Sequence, residues 1–243
     1  MSNLLITFGC SWTHGIGINY IPNMSKEKYF SKKSDIKLIE DKTFRMLLAN
    51  KYSLDNLNFS IGGSSNQAQF RKAQEFFISD QFFDIKKQYK KIIVMWGITS
   101  VLRTEIFDKD WVQIHFTKIK TGYKNISNAL FEFHNNEIEI DRLCTQMIHW
   151  NTYFDAIEVK NFWFDTFNTH NYKRNIPRKI FDQDLLTMMS GLSENKYHHS
   201  MWRNDCERTA ICLKEGLINP YSLHPTIKGH EKIASFFNLD TFF

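Results

Sequence analysis

Residues that could do chemistry begin with Ser11, in the stretch "LLITFGCSWTHGIG". The apolar run from Leu4 to Phe8 predicts a buried parallel strand, and Ser11 lies in the turn after it. A serine hydroxyl at such a position is a nucleophile when a base accepts its proton. The same pattern is typical of an ordinary turn residue. The sequence therefore leaves two interpretations of Ser11.

Two further segments carry the groups that a serine nucleophile needs. Gly62 and Gly63 follow a second predicted strand, where a bare glycine N–H can approach a developing oxyanion. His224 precedes the last predicted helix in "SLHPTIKGH", and Pro225 restricts the chain beside it. Together with Ser11, these residues supply a nucleophile, a donor and a base for acyl transfer.

Alternating strands and helices would position these groups. Further strands are predicted at "LDNLNFS", "KIIVMWG" and "NFWFDTF". Helices are predicted at "DKTFRMLLANKY", capped by Asp41, and at "SNQAQFRKAQEFFIS", capped by Ser64 or Ser65. A long helix at "EIEIDRLCTQMIHWNTYFDAIEVK" and a final one at "HPTIKGHEKIASFF" complete the pattern. It predicts an α/β fold whose central parallel sheet has helices on both faces.

Length and composition predict one domain over residues 1–243. With 10 Gly and 4 Pro, no stretch reads as a linker, whereas segments near 16–40 and 100–135 lack clean periodicity and are predicted insertions. No run approaches the roughly 18 to 20 apolar residues of a membrane span. No signal segment is recognisable at the N-terminus, so we expect a cytoplasmic protein. The oligomeric state is left open.

Charge and metal-ligand spacing point away from several classes of partner. The net charge of +5 is spread along the chain, which favours solvated faces over a nucleic-acid surface. Neither the adjacent pair His198 and His199 nor any cysteine has the spacing of a metal site. We therefore expect no metal and no cofactor. The four cysteines, expected to be reduced, are Cys10, Cys144, Cys206 and Cys212.

Four short blocks resemble those of the SGNH (GDSL-type) hydrolases. "TFGCSWTHG" is similar to the family's "FGDSxTxG", and "NFSIGGSSN" to its second block. "VMWGITS" stands in the place of "GxND", and "HPTIKGHEKIA" is similar to the end of the last block. The resemblance implies a flavodoxin-like three-layer α/β/α sandwich. It also implies metal-free hydrolysis of a small carboxylic ester, often an acyl group on a carbohydrate or lipid.

The resemblance assigns roles to individual residues. Ser11 would be the nucleophile and His224 the base, and the oxyanion hole would combine Ser11, Gly63 and Thr99. Thr99 stands where the family has an asparagine donor, and Cys10 where it has an aspartate. Tyr221 stands where it has the aspartate that orients the histidine. A Ser–His dyad is the simplest hypothesis that remains.

Other groups are candidates for accessory roles. A backbone carbonyl, Asp165 or Asp205 could orient His224 in place of the absent aspartate. His14, three residues after Ser11, faces the cleft or is an exposed loop residue. Arg103 clamps an anionic substrate or forms a surface salt bridge.

The departures from the family pattern leave open two functions of different kinds. The retained Ser, Gly and His favour a serine esterase or acylhydrolase. The missing Asp and Asn favour a binding or scaffold protein that kept the fold and lost turnover. A nucleic-acid-associated protein is a third reading, which only the basic sequence pI of about 8.9 suggests.

Overall fold

The sheet at the centre of the protein contains four parallel strands. The computed structural model describes residues 2–32, 35–116, 123–166, 170–192 and 207–243. Within them the sheet has the order β2-β1-β3-β6, and β4 and β5 form a separate antiparallel pair. The strands are β1 (Asn3–Phe8), β2 (Leu54–Asn58), β3 (Lys91–Ile98), β4 (Arg103–Asp108), β5 (Asp110–His115) and β6 (Lys160–Asp165).

Helices cover both faces of this sheet. In chain order they are α1 (Ser11–His14), α2 (Lys26–Ser31), α3 (Ile36–Lys42), α4 (Phe44–Lys51), α5 (Asn66–Phe77), α6 (Asp80–Gln88), α7 (Lys124–Glu132), α8 (Asn136–Ala156), α9 (Leu185–Ser190), α10 (Glu207–Lys214) and α11 (Ile227–Phe236). The predicted three-layer α/β/α sandwich with a central parallel sheet is confirmed. None of the described helices is long and apolar enough to cross a membrane.

Two apolar cores lie on opposite faces of the sheet because side chains alternate along each strand. On one face, Leu5 and Phe164 pack with α4, α9, α10 and α11. On the other, Phe8, Trp96 and Trp163 pack with α5, α6 and α8. Their rings stack across the strands, at 4.5 Å between Phe8 and Trp96 and 4.8 Å between Trp96 and Trp163. These tryptophans therefore belong to the core.

Strand register brings the site-bearing loops to one edge. Phe8 at the end of β1 pairs with Trp96 of β3, and Ile98 at the end of β3 pairs with Asp165 of β6. Since all four strands are parallel, the segments after β1, β2, β3 and β6 emerge at the same carboxyl edge.

The segment near 16–40 contains more regular structure than its sequence predicts. It contains α2 and most of α3, and a side chain caps the start of each helix. The Ser25 hydroxyl accepts from the Lys28 N–H, and the Asp35 carboxylate accepts from the Leu38 N–H. The predicted cap Asp41 is wrong because that residue lies inside α3, and α4 begins after Thr43. Between Ser64 and Ser65, it is Ser65 that caps α5.

The segment near 100–135 leaves the sheet as a β-hairpin and a helix. β4 and β5 pair antiparallel through a tight turn at Lys109, whose φ is 59°, and α7 follows. The hairpin packs on α5. The extent of the domain over residues 1–243 stays a prediction.

Candidate active site

Ser11 is the first residue of α1, directly beyond the end of β1. The turn is tight because Thr13 lies over Gly9: a Cβ atom built at Gly9 would be 2.1 Å from the Thr13 Oγ1. Ser11 is only 4% exposed. In the described chain, neither its backbone N–H nor its hydroxyl makes a hydrogen bond. The residue is thus held through its carbonyl, which accepts from the Gly15 and Ile16 N–H groups, and neither its own N–H nor its hydroxyl is used to stabilise the turn.

The loop after β2 brings Gly63 to the same edge. Asn58 holds its start, since its Oδ1 accepts from Thr7 Oγ1 at 2.9 Å and from the Ser60 N–H at 3.1 Å. The Ile61 N–H donates to the Gly9 carbonyl at 3.2 Å, which ties this loop to the Ser11 turn. Gly63 has a φ of 79°, in the left-handed region that favours glycine. Its N–H makes no hydrogen bond within the described ranges.

Asn66 connects the loop after β2 with the loop after β3. Its Nδ2 donates to the Thr99 carbonyl and its Oδ1 accepts from the Thr99 N–H, both at 2.9 Å. Thr99 is fully buried, and its Oγ1 has no hydrogen-bond partner in the described chain. A buried hydroxyl without a partner costs about 1–3 kcal/mol. Thr99 therefore carries a donor that folding does not use.

His14 also links two loops. The carbonyl of Ser60 can only accept, so His14 Nδ1 donates to it at 3.1 Å. Since His14 ends α1 and Ser60 follows β2, this contact joins the Ser11 turn to the Gly63 loop. His14 is partly buried beside these two loops, so it is not the exposed loop residue of the second alternative.

A turn organised by Asn219 carries His224. The Asn219 Oδ1 accepts from the N–H groups of Tyr221 at 3.2 Å and Ser222 at 2.8 Å. The N–H and Nδ2 of Asn219 donate to the His224 carbonyl at 2.9 Å and 3.2 Å. Leu223, just before the histidine, has a φ of 56°. This side-chain network fixes the backbone from which the imidazole projects.

Gly17 brings the Ser11 segment and His224 together. The Ile16 N–H donates to the Ser11 carbonyl at 3.0 Å, and Gly17 follows directly with a φ of 104°. A Cβ atom built at Gly17 would lie 2.5 Å from the Cβ of His224. Only a glycine leaves room here, so the chain after Ser11 and the histidine pack directly against each other.

Tyr221 occupies the sequence position of the orienting aspartate but faces elsewhere. Its hydroxyl donates to the Met24 carbonyl at 2.6 Å, and its ring lies edge-on to Tyr20 with centroids 5.9 Å apart. Tyr221 therefore anchors the segment after α1 to the histidine-bearing turn. In the described chain the phenol makes no hydrogen bond with the His224 side chain.

Asp165 is engaged with groups other than His224. Its Oδ1 accepts from His170 Nδ1 at 2.9 Å and from the Tyr172 hydroxyl at 2.7 Å, and Lys179 lies 3.5 Å from Oδ2. Burial would raise the pKa of Asp165, but the charge and hydrogen bond of His170, with those of Lys179 and Tyr172, hold it below the usual value. By strand alternation Asp165 shares the Trp163 face, opposite the core that contains Leu223.

Arg103 is buried beside Cys10 and is not at the surface, where the salt-bridge alternative would place it. It is 5% exposed, and burial lowers the pKa of its guanidinium, which the neighbouring Cys10 partly offsets. The charge therefore lies next to the residue that precedes Ser11.

Four residues named in the sequence predictions lie outside the described residues: His198, His199, Asp205 and Cys206. Among those described, no three His, Cys, Asp or Glu side chains are grouped so that they could hold a metal ion. Sequence reasoning missed Asn66 and Asn219. The stretch "NPYSLHP" carried a turn signal for Asn219, because Asn before Pro favours a turn.

Comparison with known proteins finds similarity in solved structures alone. No protein-family model and no curated protein matches the chain. An esterase, EstA, from Pseudoalteromonas sp., in a structure inhibited by monoethylphosphonate, is 9% identical with a TM-score of 0.45; 96% of this chain and 93% of that one are covered. A member of the lipolytic protein G-D-S-L family from Veillonella parvula DSM 2008 is 9% identical with a TM-score of 0.36, over 96% and 95%. At these identities and TM-scores, neither likeness bears on the residues of the site.

Proposed function

We propose that this chain is a serine ester hydrolase that uses Ser11 as nucleophile and His224 as base. The observation that carries the proposal is a set of three unengaged donors after three adjacent strands. They are the N–H of Ser11, the N–H of Gly63 and the Oγ1 of Thr99. The two backbone N–H groups are fixed in place before the reaction and would stabilise an oxyanion without reorganisation, whereas the buried Thr99 hydroxyl would have to become accessible to contribute. The substrate would be a small carboxylic ester, such as an O-acyl group on a carbohydrate or lipid.

The proposed reaction has an acylation step and a deacylation step. The Ser11 Oγ attacks the ester carbonyl carbon while His224 takes the hydroxyl proton. The negative charge that develops on the carbonyl oxygen is stabilised by the three donors. Collapse breaks the bond to the alcohol, which leaves with the proton from His224, and Ser11 stays acylated. Water then gives its proton to His224 and attacks the acyl group, which releases the acid and restores Ser11.

Of the three accessory candidates, His14 and Arg103 have supporting roles in this proposal and Asp165 has none. His14 fixes the Gly63 loop through the Ser60 carbonyl, and Arg103 supports the Ser11 turn through Cys10. Asp165 has no assigned part, because His170, Tyr172 and Lys179 engage its carboxylate. The proposal therefore assigns the proton transfers to Ser11 and His224 and none of them to Asp165.

Hydrolysis of p-nitrophenyl acetate tests the proposal. The wild type should release p-nitrophenol with saturation kinetics, and Ser11→Ala should lower kcat at least about 10³-fold. Ser60→Ala is a matched control, because this buried serine follows the neighbouring strand and its hydroxyl donates only to Asn58, while the carbonyl that accepts from His14 is kept in the variant. Equal turnover by wild type and Ser11→Ala would contradict the proposal.

Tyr221 favours one alternative function. Tyr221 has no carboxylate to offer His224, and its hydroxyl donates to the Met24 carbonyl instead. Removing the orienting aspartate costs about 10⁴ in turnover in serine proteases. A protein that binds esters without cleaving them would show saturable binding of the ester and no product release in the same assay.

A further inference from the structure

The β4–β5 hairpin touches the loop that carries Gly63. Its strands, Arg103–Asp108 and Asp110–His115, pair so that Arg103 lies opposite His115 at the open end. That end follows Thr99 by only a few residues, and the Arg103 N–H donates to the Ser100 carbonyl at 3.3 Å. The hairpin is thus covalently attached to one proposed oxyanion donor and lies against the loop of another.

Two alternate residues of β5 make the contacts. The Gly63 carbonyl can only accept, so His115 Nε2 donates to it, at 3.2 Å. The Ser65 N–H donates to the Gln113 Oε1 at 2.8 Å. Residues two apart on a strand point to the same side, so both side chains face this loop. The backbone on either side of Ser64 is therefore held from outside.

A buried carboxylate fixes the direction of the Gln113 amide. Its Nε2 donates to Glu105 Oε2 at 3.1 Å, so the amide oxygen is turned toward the Ser65 N–H. Glu105 in turn pairs with Arg71 of α5 at 3.0 and 3.1 Å. Hydrogen bonding to Glu105 raises the pKa of Arg71, with a smaller contribution from Glu75. An ion pair anchored on a helix thus orients the amide that holds the loop.

The loop needs such support at Gly63. Gly63 has a left-handed φ of 79° and no Cβ to restrict its backbone, and among the described residues a Cβ built there would meet only His115 within 4 Å, at 3.7 Å. Misplacing a reacting group by about 1 Å can cost about 100-fold in rate. An N–H aimed at an oxyanion is subject to the same requirement.

We propose that Gln113 and His115 are positioning residues that hold the Gly63 N–H in the oxyanion hole. The inference rests on the proposed ester hydrolysis and adds to it the role of the hairpin. Neither residue contributes a proton or a covalent bond to the reaction.

Three variants and a matched control test this role. Gln113→Ala and His115→Ala should each lower kcat for p-nitrophenyl acetate roughly 10- to 100-fold, with KM changed less than about threefold. His115→Gln keeps an N–H donor for the Gly63 carbonyl and should recover most of the loss. Asp108→Ala, at the tip of the same hairpin, should behave like the wild type, because the described contact of Asp108 is with Tyr123.

Hydrogen exchange of peptides that span residues 61–66 gives a readout independent of activity. We expect faster exchange in the two alanine variants and wild-type exchange in Asp108→Ala. Wild-type kcat together with wild-type exchange in both alanine variants would overturn the inference. If the wild type itself has no esterase activity, the proposed function fails and the catalytic role with it. Unchanged exchange alongside lowered kcat would also overturn the claim that the hairpin acts through this loop.

Discussion

The Cβ of His224 packs against the bare Cα of Gly17, six residues after the proposed nucleophile. A side chain at Gly17 would also lie 2.8 Å from the Asn219 Nδ2 and 3.0 Å from the Pro225 carbonyl oxygen. The contact joins the first motif of the chain to the last. It explains how a histidine more than 200 residues away in sequence reaches the edge where Ser11 lies.

Gly17→Ala should displace the base. An alanine Cβ 2.5 Å from the His224 Cβ must move to an ordinary contact of about 3.5–4 Å, a shift of about 1 Å. We expect the rate of ester hydrolysis to fall about 100-fold. Gly216→Ala is the control: its φ of 71° is also positive, and no described atom lies within 4 Å of the new Cβ. If both variants lose the same activity, strain and not the displacement of His224 is responsible.

Thr99→Val should separate catalysis from stability. The valine has nearly the same shape and removes a buried hydroxyl without a partner in the described chain, so the free energy of unfolding should fall by less than about 1 kcal/mol or rise. If the hydroxyl is an oxyanion donor, kcat should fall about 10- to 100-fold. Urea unfolding and p-nitrophenyl acetate kinetics measure the two effects. An unchanged kcat would remove Thr99 from the oxyanion hole.

His230 should make the protein less stable at acidic pH. Burial lowers the pKa of this imidazole to about 3, with smaller contributions from Arg45 and His224, and its Nδ1 accepts from the Phe44 N–H at 3.3 Å. In the unfolded chain His230 binds a proton as the pH falls below about 6.5, whereas in the folded chain it stays neutral until the pH approaches 3. The contribution of neutral His230 to the free energy of unfolding is therefore fully present above about pH 6.5 and is lost as the pH falls toward 3.

At pH 5 this loss amounts to about 2 kcal/mol. Urea unfolding at pH 7, 6 and 5 measures it, with His230→Asn as the comparison because an amide oxygen can still accept from Phe44. The variant should show a shallower decline. Parallel declines in the two proteins would show that other groups govern acid sensitivity.

Asp165→Asn should affect stability and leave activity in place. Removing the charge leaves His170 and Lys179 without a buried carboxylate partner, which costs about 3–5 kcal/mol. Since its contacts lie on the Trp163 face, the folded variant should hydrolyse ester within about threefold of the wild-type rate. Chemical denaturation and steady-state kinetics on the same sample measure both. A loss of activity as large as that in a His224 variant would mean that Asp165 acts on the base.

Strands β1, β3 and β6 could be predicted from sequence because each contains a short apolar run that ends in glycine or a polar residue, whereas β2 has only two apolar residues. Leu4–Phe8 and Lys91–Gly97 lie within one residue of β1 and β3. Helix α6 could not be identified in this way, since Phe82 is its one buried residue and gives little periodicity. Local patterns thus predicted the order of elements better than their number.

Partners distant in sequence were the main omission at the candidate site. The sequence marked Asp165 as a carboxylate at the right edge, but its position two residues after Trp163 places it on the face away from Leu223. The pairing of Gln113 with Ser65 depends on how the hairpin docks, which no local pattern encodes. The alternation of side chains along β6 could have predicted from sequence that Asp165 faces the same side as Trp163.

Labelling with a fluorophosphonate, read by intact mass, tests the central claim most directly. This reagent reacts with a serine hydroxyl that is activated beside a base and an oxyanion hole. The account predicts one adduct on the folded wild type, none on Ser11→Ala, and a labelling rate lowered at least about 100-fold on His224→Ala. No adduct on folded wild type, while a known serine esterase is labelled, would contradict it. So would an adduct that persists in Ser11→Ala.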